Sequence, residues 1–381
     1  MSVTREQVVE ALRPVEDPEL HRSIVDIGML RTVDISADGR AAILVALTVA
    51  GCPLRNEITN RVKSAVEPLV GAGKVDLEFT VMTDDDREEL RKKLHGDPAA
   101  TAGHGHAHGH AEGRKVPFAE PESKTRPLLI SSGKGGVGKS SVTTNLAVAL
   151  AAQGYSVGVL DADIYGYSIP RMLGASADPV AIDRMLLPSE SFGVRCISIG
   201  YFVPDGQAVV WRGPMLHKAL EQFLTDVFWD EPDFLLIDMP PGTGDIALSL
   251  SQYLPKGEVY VVTTPQQAAQ KVARLSAAMA AKVGLPVKGI IENMSWFTGD
   301  DGKRYELFGK GGGQILADEL NVPLLAQIPL LNALREGGDD GHPIAAVAPD
   351  SEVGKAFFAI AKYIAEDMKP KKIFSAALKV N

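Results

Sequence analysis

The sequence predicts an α/β fold, a mostly parallel and doubly wound sheet, preceded by a small α+β domain. Two observations carry this prediction. From residue 127 onward, short and nearly continuous apolar segments alternate with helical patterns, which is typical of a parallel sheet covered by helices on both faces. A glycine-rich segment also joins the first of these strands to a helix, and ligands bind parallel sheets beyond such strand ends.

The second domain is predicted to span 127–381, with a tail at its C-terminal end. Apolar segments predict its strands at 128–132, 156–161, 194–199, 234–238, 258–263, 287–292 and 324–328. Helical patterns predict the intervening helices at 139–153, 214–228, 245–253, 266–283, 313–320 and 351–367.

The first domain is predicted at residues 1–95. Thr4 and Gln7 have the spacing of a capping box that opens a short helix. A second helix is expected to start at Pro53. The residues expected on its apolar face are Leu54, Ile58, Val62 and Leu69. Three strands and a charged, solvated helix are expected at 31–35, 41–48, 75–82 and 84–94.

Residues 96–126 are predicted to form a flexible linker, because Gly, Ala, Pro and charged residues dominate and apolar periodicity is absent. Four histidines alternate with small residues at 104–110. This run could chelate Ni²⁺ or Zn²⁺, as a metal-insertion chaperone would require. The simpler interpretation is a His/Gly-rich tether, because nothing in the segment fixes a coordination geometry.

Composition excludes several classes of protein. The 381 residues carry a formal net charge of −9 at pH 7, so no large nucleic-acid-binding face is expected. No apolar segment is long enough to cross a bilayer, and the N-terminus has no apolar signal region. With only two cysteines, Cys52 and Cys196, the chain is not expected to form a disulfide framework, and the predicted location is the cytoplasm.

The glycine-rich segment reads Gly-Lys-Gly-Gly-Val-Gly-Lys-Ser and has the composition of a phosphate-binding loop. Its glycines let successive backbone N–H groups face phosphate oxygens at a helix N-terminus. Lys139 is expected to contact the β- and γ-phosphates of ATP, and the Ser140 hydroxyl to bind Mg²⁺. Lys134 is an additional cation, which suggests a nucleotide bound by a partner subunit. The predicted nucleotide-binding residues of this segment are Gly133, Lys134, Gly135, Gly136, Val137, Gly138, Lys139, Ser140 and Ser141.

Two further predicted strands end in carboxylates. The strand at 234–238 ends in Asp238, the Walker B arrangement, in which the carboxylate supports Mg²⁺. The strand at 156–161 delivers Asp161 and Asp163, which share one orientation if extended geometry continues. We expect Asp163 to activate the attacking water and Asp161 to support Mg²⁺. The alternative is that this pair caps the following turn.

These motifs resemble those of a known family. The segment 133–140 resembles the deviant Walker A loop of the SIMIBI-class P-loop NTPases, which include MinD, ParA and the nitrogenase iron protein. Four further segments resemble specifically the Mrp/ApbC branch of iron–sulfur cluster carrier ATPases, at 161–170, 238–245, 292–295 and 308–312. The first domain is similar to a SufT-type iron–sulfur assembly domain, through the segments 17–20, 23–28 and 48–53.

The resemblance implies a homodimeric, slowly hydrolysing ATPase that works with iron–sulfur scaffold proteins and delivers clusters to client apoproteins. It implies that Lys134 reaches the nucleotide of the other subunit, that Lys139 binds phosphates and that Ser140 ligates Mg²⁺. Asp163 and Asp238 would be switch residues, so the catalytic candidates are Lys134, Lys139, Asp163 and Asp238. By the same resemblance, Asn293 would contact adenine.

The chain departs from this family at the cluster-binding motif. Cluster-carrying members have Cys-x-x-Cys between the segments that correspond to 292–295 and 308–312. In this chain the interval 297–305 contains no cysteine. Asp300 and Asp301 offer hard oxygen ligands, which replace thiolates poorly. Cys196 is predicted to pack within a buried strand. Cys52, beside a helix start that favours the thiolate, is either the candidate iron–sulfur ligand or a small structural residue.

A positioning or partition ATPase of the MinD/ParA type, which binds a membrane or DNA, is the remaining alternative. The basic and apolar residues 369–378 resemble a membrane-seeking tail. Because the segment is short and interrupted by Pro370, we expect neither a membrane nor a nucleic-acid partner.

Overall fold

The computed structural model of the protein describes residues 3–48, 54–95, 115–164, 166–182, 184–203, 213–242 and 245–367. The chain divides into two compact units. The first comprises Met1–Gly113 and Val180–Leu187, and the second comprises Arg114–Pro179 and Pro188–Asn381. Each unit has its own main sheet.

The first unit has an α+β fold. Its elements up to residue 95 are α1 (Arg5–Leu12), β1 (Leu30–Ile35), β2 (Ala41–Leu47), α2 (Arg55–Val70), β3 (Val75–Val81) and α3 (Asp84–His95). Strand β2 lies at the centre of the sheet, antiparallel to β1 and parallel to β3. This is the small α+β domain that the sequence predicts.

Local sequence signals in this unit are partly confirmed. The capping box forms, because Thr4 Oγ1 accepts a hydrogen bond from the Gln7 N–H at 3.3 Å and Gln7 Oε1 accepts one from the Thr4 N–H at 3.0 Å. Pro53 lies outside the described residues, and Leu54 is the N-cap of α2. The buried face of α2 consists of Ile58, Val62, Val66 and Val70. The prediction for Leu69 was wrong: it is 41% exposed, because a four-residue spacing places the buried stripe on Val70.

The remaining elements follow in chain order. The strands are β4 (Arg126–Ser132), β5 (Val157–Asp161), β6 (Val180–Ile182), β7 (Met185–Leu187), β8 (Ser189–Ser191), β9 (Val194–Ser198), β10 (Phe234–Asp238), β11 (Glu258–Thr263), β12 (Val287–Asn293), β13 (Phe297–Thr298), β14 (Arg304–Tyr305) and β15 (Leu324–Ile328). The helices are α4 (Lys139–Ala152), α5 (Ile169–Leu173), α6 (Gly213–Thr225), α7 (Asp245–Tyr253), α8 (Gln267–Lys282), α9 (Gly312–Leu320), α10 (Asn332–Asp340), α11 (Ile344–Val347) and α12 (Glu352–Lys362), and a π-helical turn follows at Tyr363–Asp367.

The main sheet of the second unit has the strand order β15-β12-β11-β4-β10-β5-β9-β8. Among the described strands of this sheet, β8 pairs antiparallel with β9 and the other seven run parallel. Every residue of β5, β10 and β11 is buried, as expected for central strands covered on both faces. The predicted fold class is confirmed, and the parallel strands end together at the edge where the glycine-rich segment begins.

The predicted linker does not extend to residue 126. Val116 and Phe118 are buried, and a 3₁₀ turn forms at Pro117–Ala119. Lys256 Nζ donates to the backbone oxygens of Glu120 and Pro121 at 2.6 and 2.8 Å, which ties this part of the second unit to the turn between α7 and β11. Residues 96–114, including the histidine run, lie outside the described residues. Within the described part of the chain, no helix is long and apolar enough to span a bilayer.

Candidate functional site

The glycine-rich loop connects β4 to α4 at the C-terminal edge of the parallel sheet. Gly136 and Gly138 have φ angles of 80° and 82°, in the left-handed region that glycine adopts without strain. A Cβ atom on Gly138 would lie 2.2 Å from Asn293 Nδ2, and one on Gly133 would lie 2.3 Å from the backbone nitrogen of Ala273 on α8. The loop therefore needs glycine both for its turn and for its close packing.

Asp238, at the end of β10, is the polar centre of the site. Its carboxylate is fully buried and accepts three side-chain hydrogen bonds. Oδ2 accepts from Lys139 Nζ at 2.7 Å and from Ser140 Oγ at 2.6 Å, and Oδ1 accepts from Thr143 Oγ1 at 2.7 Å. The structure thus brings together Lys139, Ser140 and Asp238, which the sequence placed in one nucleotide site.

Sequence reasoning missed Thr143. Its side chain is fully buried, and its hydroxyl lies within hydrogen-bond distance of both Asp238 and the Lys139 carbonyl, 3.0 Å away. Thr143 follows Lys139 by four residues on α4, so the two side chains share one helix face. That spacing was the available signal, but no loop motif requires a hydroxyl there.

Asp163 lies just beyond the end of β5 and faces Lys139, with Oδ2 3.5 Å from Lys139 Nζ. Burial raises the pKa of the Asp163 carboxyl above its ordinary value, the Lys139 charge opposes the rise, and the Asp238 charge adds to it. Lys139 is therefore placed between two carboxylates, at the mouth of the loop where phosphates would bind.

Asp161 has different partners from Asp163. It is buried, Oδ1 accepts from the Asp163 N–H at 3.1 Å, and Oδ2 accepts from Ser198 Oγ at 3.1 Å and from the Ile169 N–H at 3.3 Å. Burial, and then the charge of Asp238 on the neighbouring strand, raise the pKa of Asp161. These contacts are those of a turn cap, so metal support by Asp161 stays a prediction.

Lys134 points away from this carboxylate cluster. Its Nζ donates to Oε1 of Gln266 at 3.0 Å, and the side chain is half-buried. Within the described part of the chain Lys134 forms no salt bridge, whereas Lys139 contacts two acids. The two lysines of the loop are therefore held in different ways within one subunit.

Asn293 ends β12 and touches the same loop. Its Nδ2 donates to the Val137 carbonyl at 2.9 Å, and its buried Oδ1 finds no hydrogen-bond partner among the described residues. A buried acceptor without a donor is costly, and an amino group such as that of adenine would satisfy it. The contact between Asn293 and adenine stays a prediction.

The neighbouring Glu292 is buried and structural. Its carboxylate accepts hydrogen bonds from Ser295 Oγ at 2.9 Å, from Gln327 Nε2 at 2.7 Å and from the Gly313 N–H at the start of α9. The motif 292–295 thus contacts the glycine-rich loop through Asn293 and the start of α9 through Glu292, two adjacent residues on one strand.

A cavity of about 720 Å³ opens beside the loop, a size typical of small-molecule sites. The residues that line it include Lys134, Gly135, Gly136, Val137, Gly138, Lys139, Ser140, Ser141, Asp163, Met172, Leu216, Pro240 and Ile246. Loop N–H groups and lysines suit phosphates, while the Ser140 hydroxyl and the Asp238 carboxylate are hard oxygen donors that suit Mg²⁺. The residues present therefore fit a magnesium nucleotide.

The interval 297–305, where the resemblance implies Cys-x-x-Cys, forms a β-hairpin of β13 and β14. Asp301 accepts from Tyr305 Oη at 2.9 Å and from the Lys303 N–H at 3.0 Å, and the Arg304 guanidinium lies 4.2 Å from the Trp296 ring centroid. Among the described residues, no group of three or more His, Cys, Asp or Glu side chains could hold a metal ion.

Only one of the two cysteines lies among the described residues. Cys196 is fully buried in β9, as predicted, and burial raises the pKa of its thiol. It therefore cannot meet a ligand from solvent without unfolding. Cys52 lies outside the described residues, so its assignment as an iron–sulfur ligand stays a prediction.

Family models match both units. Residues 124–365, more than half of the chain, match the family described as NUBPL iron-transfer P-loop NTPase. The chain belongs to this family. Residues 5–77 of this NTPase match a second family, described as iron–sulfur cluster assembly protein. The resemblance seen in the motifs is thereby confirmed for both parts of the chain.

Relatives of this NTPase match it over most of their length. The iron–sulfur cluster carrier protein of Mycobacterium leprae is 47% identical over 360 residues, covering 93% of this chain and 91% of the relative. That of Synechocystis is 41% identical over 371 residues, covering 95% and 97%. A nucleotide-binding protein of Archaeoglobus fulgidus, solved in complex with ADP, is 34% identical with a TM-score of 0.52 and covers 60% of this chain and 93% of its own.

Proposed function

We propose that the protein is a homodimeric, Mg²⁺-dependent ATPase that carries iron–sulfur clusters to client apoproteins. The observation that carries this proposal is the direct contact of Lys139 and Ser140 with Asp238 beside a nucleotide-sized cavity. Relatives that share over 90% of the chain's length are named iron–sulfur cluster carrier proteins, which supports the cargo.

The residues of the site perform separate tasks in this proposal. Lys139 would pair with the β- and γ-phosphates in place of its two carboxylates. The Ser140 hydroxyl and the Asp238 carboxylate would hold Mg²⁺, which would neutralise phosphate charge when bound. Asp163 activates the water, because a carboxyl with a raised pKa is a better proton acceptor than an ordinary one.

Hydrolysis by one subunit alone is slow in this proposal. Among the described residues that line the cavity there is no arginine to stabilise the charge of the transition state. Lys134 of the other subunit supplies the missing cation. Nucleotide hydrolysis and dimerisation are therefore coupled through one lysine.

Cys52 is the thiol assigned to the cargo. The Cys-x-x-Cys interval holds no cysteine and Cys196 is buried, which leaves Cys52 as the remaining thiolate in the sequence. It lies in the part of the chain that matches the iron–sulfur cluster assembly family.

ATP hydrolysis by two lysine variants tests the nucleotide site. Lys139→Ala and Lys134→Ala should each lower the rate at least about tenfold, because each removes a cation from the phosphates. Lys282→Ala, at an exposed lysine near the end of α8, is the control and should keep the wild-type rate. Undiminished hydrolysis in both loop variants would contradict the assignment.

The cytoplasmic location and the absence of membrane or nucleic-acid partners stay predictions. The two alternative functions depend on the histidines at 104–110 and on the tail at 369–378. Both segments lie outside the described residues, and no contact among the described residues favours either alternative.

A further inference from the structure

Lys134 has a specific acceptor within its own subunit. Its ammonium group donates to Oε1 of Gln266, which lies 132 positions later in the chain and directly precedes α8. The acceptor is a neutral amide, although carboxylates hold the other lysine of the loop. Among the described residues, Lys134 is therefore held by a hydrogen bond and by no ion pair.

The surroundings of Gln266 favour release of Lys134 from this hydrogen bond. Gln266 is the N-cap of α8, but its side chain makes no hydrogen bond to the helix that it precedes. The N-terminus of a helix carries partial positive charge, which disfavours a nearby ammonium group. The amide oxygen thus keeps Lys134 at a place that the helix electrostatically opposes.

Backbone packing fixes the distance between the two residues. Gly133, next to Lys134, lies so close to α8 that a Cβ atom would be 2.3 Å from the Ala273 nitrogen. Ser131 Oγ and Ser276 Oγ, on β4 and α8, are 2.8 Å apart and buried. The start of the loop and α8 form one packed element, so the contact between Lys134 and Gln266 is built into the fold.

We infer that Gln266 is a positioning residue that keeps Lys134 in its own subunit until a nucleotide-loaded partner subunit offers phosphate oxygens. The inference rests on the proposed function, in which Lys134 acts on the nucleotide of the other subunit. Gln266 sets how readily Lys134 is released, and it thereby tunes the affinity of the nucleotide-dependent dimer.

Two substitutions at this position have opposite consequences. Gln266→Ala removes the acceptor and leaves Lys134 free, so the dimer should form roughly three- to tenfold more tightly. Gln266→Glu replaces the amide by a carboxylate and pairs Lys134 with a charge, so the dimer should weaken by a similar factor. The effect of the Glu variant should shrink as salt is raised, because the pair is half-exposed.

Sedimentation of the full chain with Mg²⁺ and a non-hydrolysable ATP analogue measures the dimer dissociation constant. Gln267→Glu is the matched control: it adds the same charge at an exposed neighbouring position and should behave as wild type. Gln266→Asn, whose shorter amide falls short of Lys134, should follow the Ala variant. Thermal unfolding of each variant checks its folding. If the Glu variant is unfolded, tighter dimers of both the Ala and the Asn variants support the inference, and unchanged dimers overturn it.

The outcomes distinguish failure of the inference from failure of the proposed function. Opposite shifts for the Ala and Glu variants support the inference, whereas unchanged or equal shifts overturn it. If Lys134→Ala abolishes the dimer while these Gln266 variants match wild type, the proposed function stands and the inference fails. If wild type stays monomeric, or Lys134→Ala dimerises normally, the role of Lys134 between subunits is contradicted and the inference falls with it.

Discussion

At the residue scale, Asp238 organises the nucleotide site because both of its oxygens are used by α4. Lys139 and Ser140 occupy Oδ2, and Thr143 occupies Oδ1. In the proposed function the first two turn towards a magnesium nucleotide, and Thr143 is then the donor that remains. Thr143 therefore keeps a fully buried carboxylate oriented in both situations.

Thr143→Val tests this orientation. The variant leaves Oδ1 of Asp238 without its donor, so the free energy of unfolding should fall by about 1–3 kcal/mol. The part of ADP affinity that depends on Mg²⁺, measured by calorimetry with and without the metal, should also decrease. Thr143→Ser keeps the hydroxyl and should restore both quantities.

Thr144 provides the matched control for Thr143. It is the next residue, equally buried, but its hydroxyl has no hydrogen-bond partner among the described residues. Thr144→Val should leave stability unchanged or raise it, because it removes an unsatisfied polar group. Equal losses in the two valine variants would show that the hydrogen bond to Asp238 contributes nothing.

Glu19 gives the first unit a pH-dependent stability. Burial, together with the charge of Asp17, raises the pKa of Glu19 from its ordinary value of 4.5 to about 7. Between these values the unfolded chain has lost the proton that the folded unit keeps, so stability falls as pH rises through this window. Below the window the folded and unfolded states are both protonated, and this contribution to stability is complete.

Glu19→Gln should remove this dependence, since the amide stays neutral. Thermal unfolding of the variant and wild type should be similar at about pH 5, and the variant should be the more stable at about pH 8.5. Glu16→Gln, at an exposed neighbour, is the control and should keep the pH profile of wild type. A Glu19 variant that also keeps this profile would contradict the assignment.

At the element scale, the close packing of the loop on α8 determines where Lys134 lies. A Cβ atom on Gly133 would meet the backbone of Val272 and Ala273 at 2.4 and 2.3 Å, and backbone cannot move aside as a flexible side chain does. Gly135, two residues later, has nothing within 4 Å of such an atom. The two glycines therefore differ in their packing.

Gly133→Ala should lower the free energy of unfolding by about 2 kcal/mol or more, because it forces α8 away from the loop. Gly135→Ala should change it by less than about 0.5 kcal/mol. Thermal or denaturant unfolding without nucleotide separates this packing effect from any contact with phosphates. Equal stabilities of the two variants would contradict the close approach to α8.

Sequence patterns predicted the central elements well. The strands 234–238, 258–263 and 324–328 agree with the structure to the residue, because their apolar runs are bounded by polar or turn residues. Short or exposed elements gave no such signal: α10 has no buried residue, and α5 is only five residues long. The isolated buried residues Val116 and Phe118 likewise have no periodicity to indicate that the chain packs there.

Site residues were predictable where a sequence motif fixes their spacing. Their hydrogen-bond partners were less predictable where these come from distant segments of the chain. Lys139, Ser140 and Asp238 were expected together, since a helix start and a strand end meet at one sheet edge. The separate partners of Asp161 and Asp163 were not foreseen, because β5 ends at Asp161 and strand alternation stops there. The contacts of Thr143 and Gln266 join distant segments, which no local pattern reveals.

At the scale of the whole molecule, one chain combines an NTPase unit with an assembly-type unit. A hairpin without cysteine occupies the interval where the resemblance implies Cys-x-x-Cys, and the buried Cys196 offers no alternative. In the proposed function, Cys52 binds the cargo, and Lys134 and Lys139 form the switch. Cluster release should then depend on nucleotide, even though the proposed cluster ligand belongs to the other unit.

The most direct measurement is cluster transfer to an acceptor apoprotein with a single iron–sulfur site, after anaerobic reconstitution with iron and sulfide. Wild type should acquire the charge-transfer absorption of a cluster and transfer it faster when Mg²⁺ and ATP are added. Cys52→Ala should not acquire this absorption, and Lys134→Ala should acquire it but transfer at a rate independent of ATP. A wild type that acquires no cluster, or transfers it equally fast without ATP, would contradict the account.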